Sequence, residues 1–312
     1  MLDSLGFIIG TTLMYSTPLI YAALGGVMSE NSGVVNIGLE GMMTIGALIG
    51  ATVGFYSGNP WLAFLAAGMA GGGLALLHAV ASVSYGADQV VSGIAINFLG
   101  PGLALFLSRI FFEGATMTKA IPLDNKMPRP IHGLLPRNSF LDLVFNQYAT
   151  VYIAFLLVGV VWFLLYRTKL GLRIRAVGEH PRAADTLGVS VYKIRYLCVV
   201  LSGVLAGFGG ASMSLAIVSN FRPTLISGHG FIALAAMIFG KWKPQGAMWA
   251  CLLFGVSNGL VVYLGRSDAP FEISMQLLSM LPYVLTLIVL MGFVGRSSAP
   301  AANGVPYEEG ER

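Results

Sequence analysis

Residues Arg167–Arg195 read RTKLGLRIRAVGEHPRAADTLGVSVYKIR and interrupt an otherwise apolar chain with a long charged stretch. Arg167, Lys169, Arg173, Arg175, Arg182, Lys193 and Arg195 all fall within it. On either side lies an apolar segment long enough to cross a bilayer. Lys and Arg beside a span resist translocation, so this stretch belongs on the cytoplasmic side. Its composition is too ordered for a linker. Pro181 suits the first turn of a helix, where a missing N–H costs nothing. Ala183, Ala184 and Leu187 favour continuation, and Gly188 can end it. The reading is a short helix lying beneath the membrane, a surface on which a partner can dock.

The composition around this stretch fits a membrane setting. Apolar residues make up 56 % of the 312-residue chain and charged residues 10 %. Mean hydropathy is +0.77. A soluble domain carries roughly 25 % charged residues. So few charges cannot cover a water-soluble surface, and the fold class is an all-α, polytopic membrane bundle. The apolar runs are continuous, unlike the alternating segments of a β-barrel. The chain's 40 glycines let membrane helices approach closely. Net charge of +4 follows from topology and gives no reason to invoke nucleic acid. Cys198 and Cys251 sit inside apolar spans and read as buried thiols, not as a disulfide framework. The opening MLDSLG lacks the basic start of a cleavable signal peptide, so the first segment reads as a retained span.

A span needs about 20 apolar residues, and this rule gives about 8–10 helices, some broken or re-entrant. Leu5 to Val27 is the first, with Pro18 as an expected kink. Ser29 to Met43 is amphiphilic and runs into Met42 to Tyr56, which spans only if Val34 to Glu40 enters the membrane too. Gly33, Gly38 and Gly41 make a broken helix the expectation there. If Asn36–Tyr56 is one span, the N-terminus is external; if it is re-entrant, internal. Trp61–Tyr85 and Val90–Phe112 follow, with Pro101 expected to break or kink the latter. Glu113–Gln147 reads as an external loop with a short surface helix, and Tyr148–Tyr166 as the fifth span. Ile194–Ile217, a half-crossing at Gly230–Gly240, Ala247–Leu264 and Met275–Phe293 complete the set. Residues 1–295 thus read as one transmembrane domain carrying the 167–195 loop, and 296–312 as a polar, flexible tail. Glycines at four-residue steps (Gly46/Gly50/Gly54, Gly68/Gly72, Gly203/Gly207, Gly255/Gly259) read as close packing inside one subunit, with a subunit interface as the lesser alternative.

Enzyme signatures are absent. There is no G-x-x-x-x-G-K-[ST] phosphate loop, no H-E-x-x-H and no paired Cys-x-x-Cys. His78, His132, His180 and His229 are scattered, so no metal site is expected.

Four segments carry a resemblance: VGEHPRAADTLGVSVYKIRYLCVVLSGVLAGFGGA (177–211), ENSGVVNIGLEGMMTIGA (30–47), ADQVVSGIAINFLG (87–100) and GFIALAAMIFGKWKPQGA (230–247). Together they resemble the permease subunits of bacterial ABC importers, in the branch with ribose, simple-sugar, nucleoside and branched-chain amino-acid permeases. The nucleoside type is closest in look. His229 departs from the pattern, standing where relatives often carry Arg.

The resemblance implies a coupling helix that seats in a groove of a separate ATPase subunit. Glu179, His180, Pro181, Arg182, Ala183, Ala184, Asp185 and Gly188 are the residues that would supply it. It also implies a second permease subunit, an extracytoplasmic solute-binding protein and a bacterial cytoplasmic-membrane location. ATP and Mg would reside on the ATPase, and this chain would bind no cofactor. For the substrate path, Glu40 is the carboxylate expected at membrane depth, where an ionisable group faces the bundle interior or a wet cavity. Asn36 shares its face if the segment is helical, and Asn97 and Asn258 are further candidates. An amide offers donor and acceptor together, which suits a nucleobase or a sugar hydroxyl. Each has a plainer reading as an interhelical hydrogen bond, and Glu40 can equally brace a broken helix by capping a backbone N–H. His78 reads as a packed, neutral histidine. Competing readings are a permease for branched-chain amino acids and an ion-coupled secondary transporter, which would have no use for so elaborate a basic loop.

Overall fold

The computed structural model describes residues 2–136, 139–265, 298–308 and isolated positions between 274 and 288. The last expected span, Met275–Phe293, lies almost wholly outside the described residues. Eleven α-helices are formed among the described residues, and no strand. They are α1 (Leu2–Glu30), α2 (Leu39–Ser57), α3 (Pro60–Ala79), α4 (Gln89–Phe111), α5 (Phe140–Phe145), α6 (Ala149–Arg167), α7 (Lys169–Glu179), α8 (Pro181–Thr186), α9 (Val191–Ser212), α10 (His229–Phe239) and α11 (Pro244–Leu264). Both α3 and α9 continue through a π-helical turn, Val80–Ser84 and Met213–Ile217. Seven of these helices (α1, α2, α3, α4, α6, α9 and α11) are long and apolar enough to cross a membrane. At 11 residues, α10 covers about half a crossing, as its sequence suggested.

Local chemistry sets several starts. Asn59 accepts from the Trp61 and Leu62 amides ahead of Pro60, which opens α3. Asp88 accepts from the Val91 amide at the head of α4, and Pro244 opens α11. Two expectations need correction. Of the break or kink expected at Pro101, the break does not occur: α4 runs through it from Gln89 to Phe111. The basic stretch forms two helices, not one. Thr168 caps α7 by accepting from the Gly171 amide at 3.1 Å, and Ile174 and Val177 bury the apolar stripe of α7.

The core is built on glycine. A Cβ on Gly46 of α2 would lie 2.5 Å from the Gly207 Cα of α9, and one on Gly54 would lie 2.9 Å from Leu215. On α3, Gly68 faces Phe208 and Gly72 faces Val204, so α2 and α3 both close onto α9. Gly255 and Gly259 of α11 face Thr12 and Ser16 of α1. All the glycine steps noted in the sequence thus serve contacts within the subunit.

The ends of the bundle separate cleanly. The Ala302 amide donates to Gly178 at the end of α7, and Asn303 reaches Glu30 at the end of α1, so α1 finishes at the basic end. Its start packs on Phe140 and Leu143 of α5, at the opposite end. There, part of the 113–147 segment hydrogen-bonds to 215–221: the Thr118 amide donates to Phe221, Ile121 to Ser219 and Met127 to Leu215.

Candidate functional site

Between α1 and α2 the chain leaves the helix at Asn31 and re-enters it at Leu39. This link is buried, with Ser32, Val34 and Asn36 fully enclosed. Unwound backbone inside a bundle must find partners other than its own helix. The Ser32, Gly33 and Val34 amides still donate to the Ser29 and Glu30 carbonyls at the end of α1, and beyond them side chains supply the partners. Gln89 accepts from the Val35 amide at 2.7 Å, and His78 Nε2 lies 3.0 Å from the Val35 carbonyl. A carbonyl only accepts, so Nε2 donates and Nδ1 faces Ser92 at 2.9 Å. The Asn97 amide bridges the link to α2, donating to Ile37 O and accepting from the Gly41 N–H, both at 2.9 Å. Asn36 accepts from the Gly38 amide at 3.1 Å and donates to Ser202 of α9 at 2.9 Å.

Glu40 lies in the first turn of α2 and reaches across to the start of α10. Its Oε1 accepts from the Gly228 amide at 2.6 Å and its Oε2 from the Gly230 amide at 2.7 Å. Two helix N-termini therefore share one carboxylate, which balances the positive partial charge at each. Gly228 has φ of +92°, a value that L residues rarely adopt, and a Cβ on Gly230 would lie 2.5 Å from the Glu40 amide. The Gly-His-Gly sequence at 228–230 is thus shaped by this contact. His229 itself turns its Nδ1 to the Ile226 carbonyl.

Three of the four polar residues singled out for a substrate path, Asn36, Glu40 and Asn97, converge on this junction. The fourth does not: Asn258 donates within α11, to Phe254 O at 3.4 Å. Gln89, Ser202, Gly228 and Gly230 also belong to the junction and were not singled out. Their partners lie 54 to 190 positions away, so no local pattern points to them. Among the described residues no group of three His, Cys, Asp or Glu could hold a metal ion.

The second feature is α8. Pro181 is its first residue, the Ala184 amide donates back to His180, and Gly188 closes it with φ of +79°. Ala184 is buried, anchoring the helix to the bundle, whereas Glu179, His180, Arg182, Ala183, Leu187 and Gly188 are exposed. Pro181 and Asp185 are half-buried. Leu187 is 85 % exposed, an apolar side chain offered outward at the basic end.

No solved structure matches the chain. It is 46 % identical to the guanosine ABC transporter permease protein NupQ of Bacillus subtilis, over 99 % of this chain and 98 % of that one. It is 42 % identical to the nucleoside ABC transporter permease protein NupC of Lactococcus lactis, over 98 % of each. The model of the family described as branched-chain amino acid transport system / permease component matches residues 8–290. With an unwound, side-chain-clamped link inside the bundle and an exposed short helix at its basic end, this multi-pass membrane chain belongs to the ABC-importer permease family, as a transport subunit and not an enzyme.

Proposed function

We propose that this chain forms, with a second permease subunit, the path by which nucleosides enter through a bacterial cytoplasmic membrane. The observation that carries the substrate class is the identity with the guanosine and nucleoside permeases across nearly the whole chain. The junction is in keeping with it. Glu40 supplies the anion that the N-termini of α2 and α10 call for, so no unbalanced positive end awaits a charged solute. An uncharged nucleoside suits such a site. Branched-chain amino acids are the second reading, favoured by the description of the matching family.

Transport is driven by an ATPase subunit that binds ATP and Mg and receives α8. The basic end faces the cytoplasm, which sets the start of α1 outside, beside the 113–147 segment where a solute-binding protein would deliver its cargo. Nucleotide-driven closure of the ATPase pair moves α8, and α7 and α9 move with it. Asn36, Glu40, Asn97 and Asn258 are the polar groups that such movement would bring to the path. In cells lacking their own nucleoside uptake, the complete importer should restore uptake of radiolabelled guanosine, with unlabelled nucleosides competing. Competition by leucine or glucose, and none by nucleosides, would overturn the substrate assignment.

A further inference from the structure

Residues 298–308, expected from composition to be part of a polar tail, are fastened along the basic end. The Ala302 amide donates to Gly178 O at 2.8 Å, and the Gly304 amide to Gly33 O at 3.3 Å. Asn303 donates to Glu30 at 2.9 Å, and the same Glu30 oxygen accepts from the Trp242 indole at 2.5 Å. The guanidinium of Arg195, only 1 % exposed, donates to Val305 O at 3.0 Å. The Tyr192 hydroxyl donates to Tyr307 O at 3.2 Å, and the two rings meet edge to face at 5.7 Å. The segment is held at α1, at the unwound link, at α7 and at α9. Its outer residues Val305, Pro306 and Glu308 are nonetheless exposed.

Between this segment and the start of α8 lies a cavity of about 520 Å³. Pro181 and Ala183 line one side, and Val305 and Pro306 the other. Glu179 and Glu308 both line it and are exposed, against Arg182 as the one Lys or Arg among its lining residues. In a region otherwise rich in Lys and Arg, this is a locally acidic, apolar-walled notch, continuous with the exposed face of α8.

We propose that the ATPase docks on this two-walled cleft and not on α8 alone, inserting a side chain with an apolar stem and a cationic head between α8 and residues 301–308. This rests on the reading that α8 is the ATPase-docking helix. A Lys or Arg side chain meets the description: its methylenes cover Pro181, Ala183, Val305 and Pro306 while its charge reaches the carboxylates. Because the wall is tied to Gly33 and Glu30, a partner seated in the cleft also bears on the link between α1 and α2.

The test uses the assembled importer. Cys198 and Cys251 are buried, so an added surface thiol is the accessible one. Pro306→Cys and Ala183→Cys would each be treated with a short thiol-to-amine cross-linker. Both are expected to join the ATPase subunit. Cross-linking from Ala183→Cys alone would overturn the second wall and leave α8 as the docking helix. Cross-linking from neither would overturn both, and from Pro306→Cys alone would refute a shared cleft. A second arm measures how tightly the ATPase is retained. Glu308→Lys should weaken it about tenfold, with the fold unchanged by circular dichroism. Unaltered retention would overturn the cationic occupant.

Discussion

The Glu40 carboxylate at the start of α2 accepts the Gly230 amide hydrogen at 2.7 Å, joining two helices that are 190 positions apart in sequence. Its other oxygen holds Gly228. One side chain thus terminates two helices inside the bundle. Glu40→Ala leaves two amide donors without their acceptor and should cost about 3–6 kcal/mol, since hydrogen bonds to charged groups are worth about 1.5–3 kcal/mol each. Glu40→Gln keeps one acceptor oxygen and should lose about half as much. Thermal unfolding of the detergent-solubilised importer measures both. Equal melting of Glu40→Ala and the parent would remove the capping role.

Asn97 clamps the link from the other side, through Ile37 O and the Gly41 N–H. Asn97→Ala should destabilise by about 1–3 kcal/mol, because both backbone groups are left unpaired. Asn97→Asp should do no better: the carboxylate still accepts from Gly41 but cannot donate to Ile37 O. Hydrogen exchange at residues 31–41 should rise in both variants. Exchange unchanged there would show that other groups hold the link.

Glycine substitutions divide by what they face. A Cβ on Gly210 runs into the Met43 carbonyl, and one on Gly25 lies 2.6 Å from the Ser202 carbonyl, both backbone atoms of a neighbouring helix. Gly210→Ala and Gly25→Ala should cost about 1–3 kcal/mol or more through overpacking. Gly73 meets nothing within 4 Å, so Gly73→Ala should be neutral or gain about 0.5–1 kcal/mol of helix propensity. Expression level and melting temperature of the three rank them, and destabilisation by Gly73→Ala equal to the others would refute the packing argument.

The periodic part of this architecture was legible in the sequence. Apolar run length located six of the seven crossings and the half-length α10, left the second crossing dependent on Val34–Glu40, and Pro181 and Gly188 marked α8 at both ends. These signals are local, because a span or a cap is decided by neighbouring residues. The glycine steps were legible as close packing, while their partners were not. The unwound link was foreseen from Gly33, Gly38 and Gly41, and Asn36, Asn97 and Glu40 were read as able to form interhelical hydrogen bonds or, for Glu40, a backbone cap, but which backbone groups they meet was not. Gln89, Asn97 and Glu40 meet backbone groups 54 to 190 positions away. Residues 298–308 escaped for the same reason. Small and polar residues such as Ala302, Asn303 and Gly304 carry no periodic stripe, and their bonds run to Gly178, Glu30 and Gly33.

Sidedness can be read by labelling. Cys198 and Cys251 are buried and should not react with a membrane-impermeant maleimide in the native protein. Leu187→Cys, at an 85 % exposed position of the basic end, should label only from the cytoplasmic side. Leu123→Cys, 80 % exposed beyond α4, should label only from outside. Labelling of both from one side would break the topology.

The central claim is that α8 couples this permease to ATP hydrolysis. The measurement is nucleoside uptake into proteoliposomes holding the complete importer and its binding protein, with and without enclosed ATP and Mg. The parent would be compared with Ala183→Glu/Leu187→Glu. These positions are exposed, unlike Ala184, whose replacement would disturb the helix itself. The account predicts uptake that requires ATP and falls at least about tenfold in the variant, while the permease fold persists. Uptake indifferent both to ATP and to the α8 substitutions would contradict it.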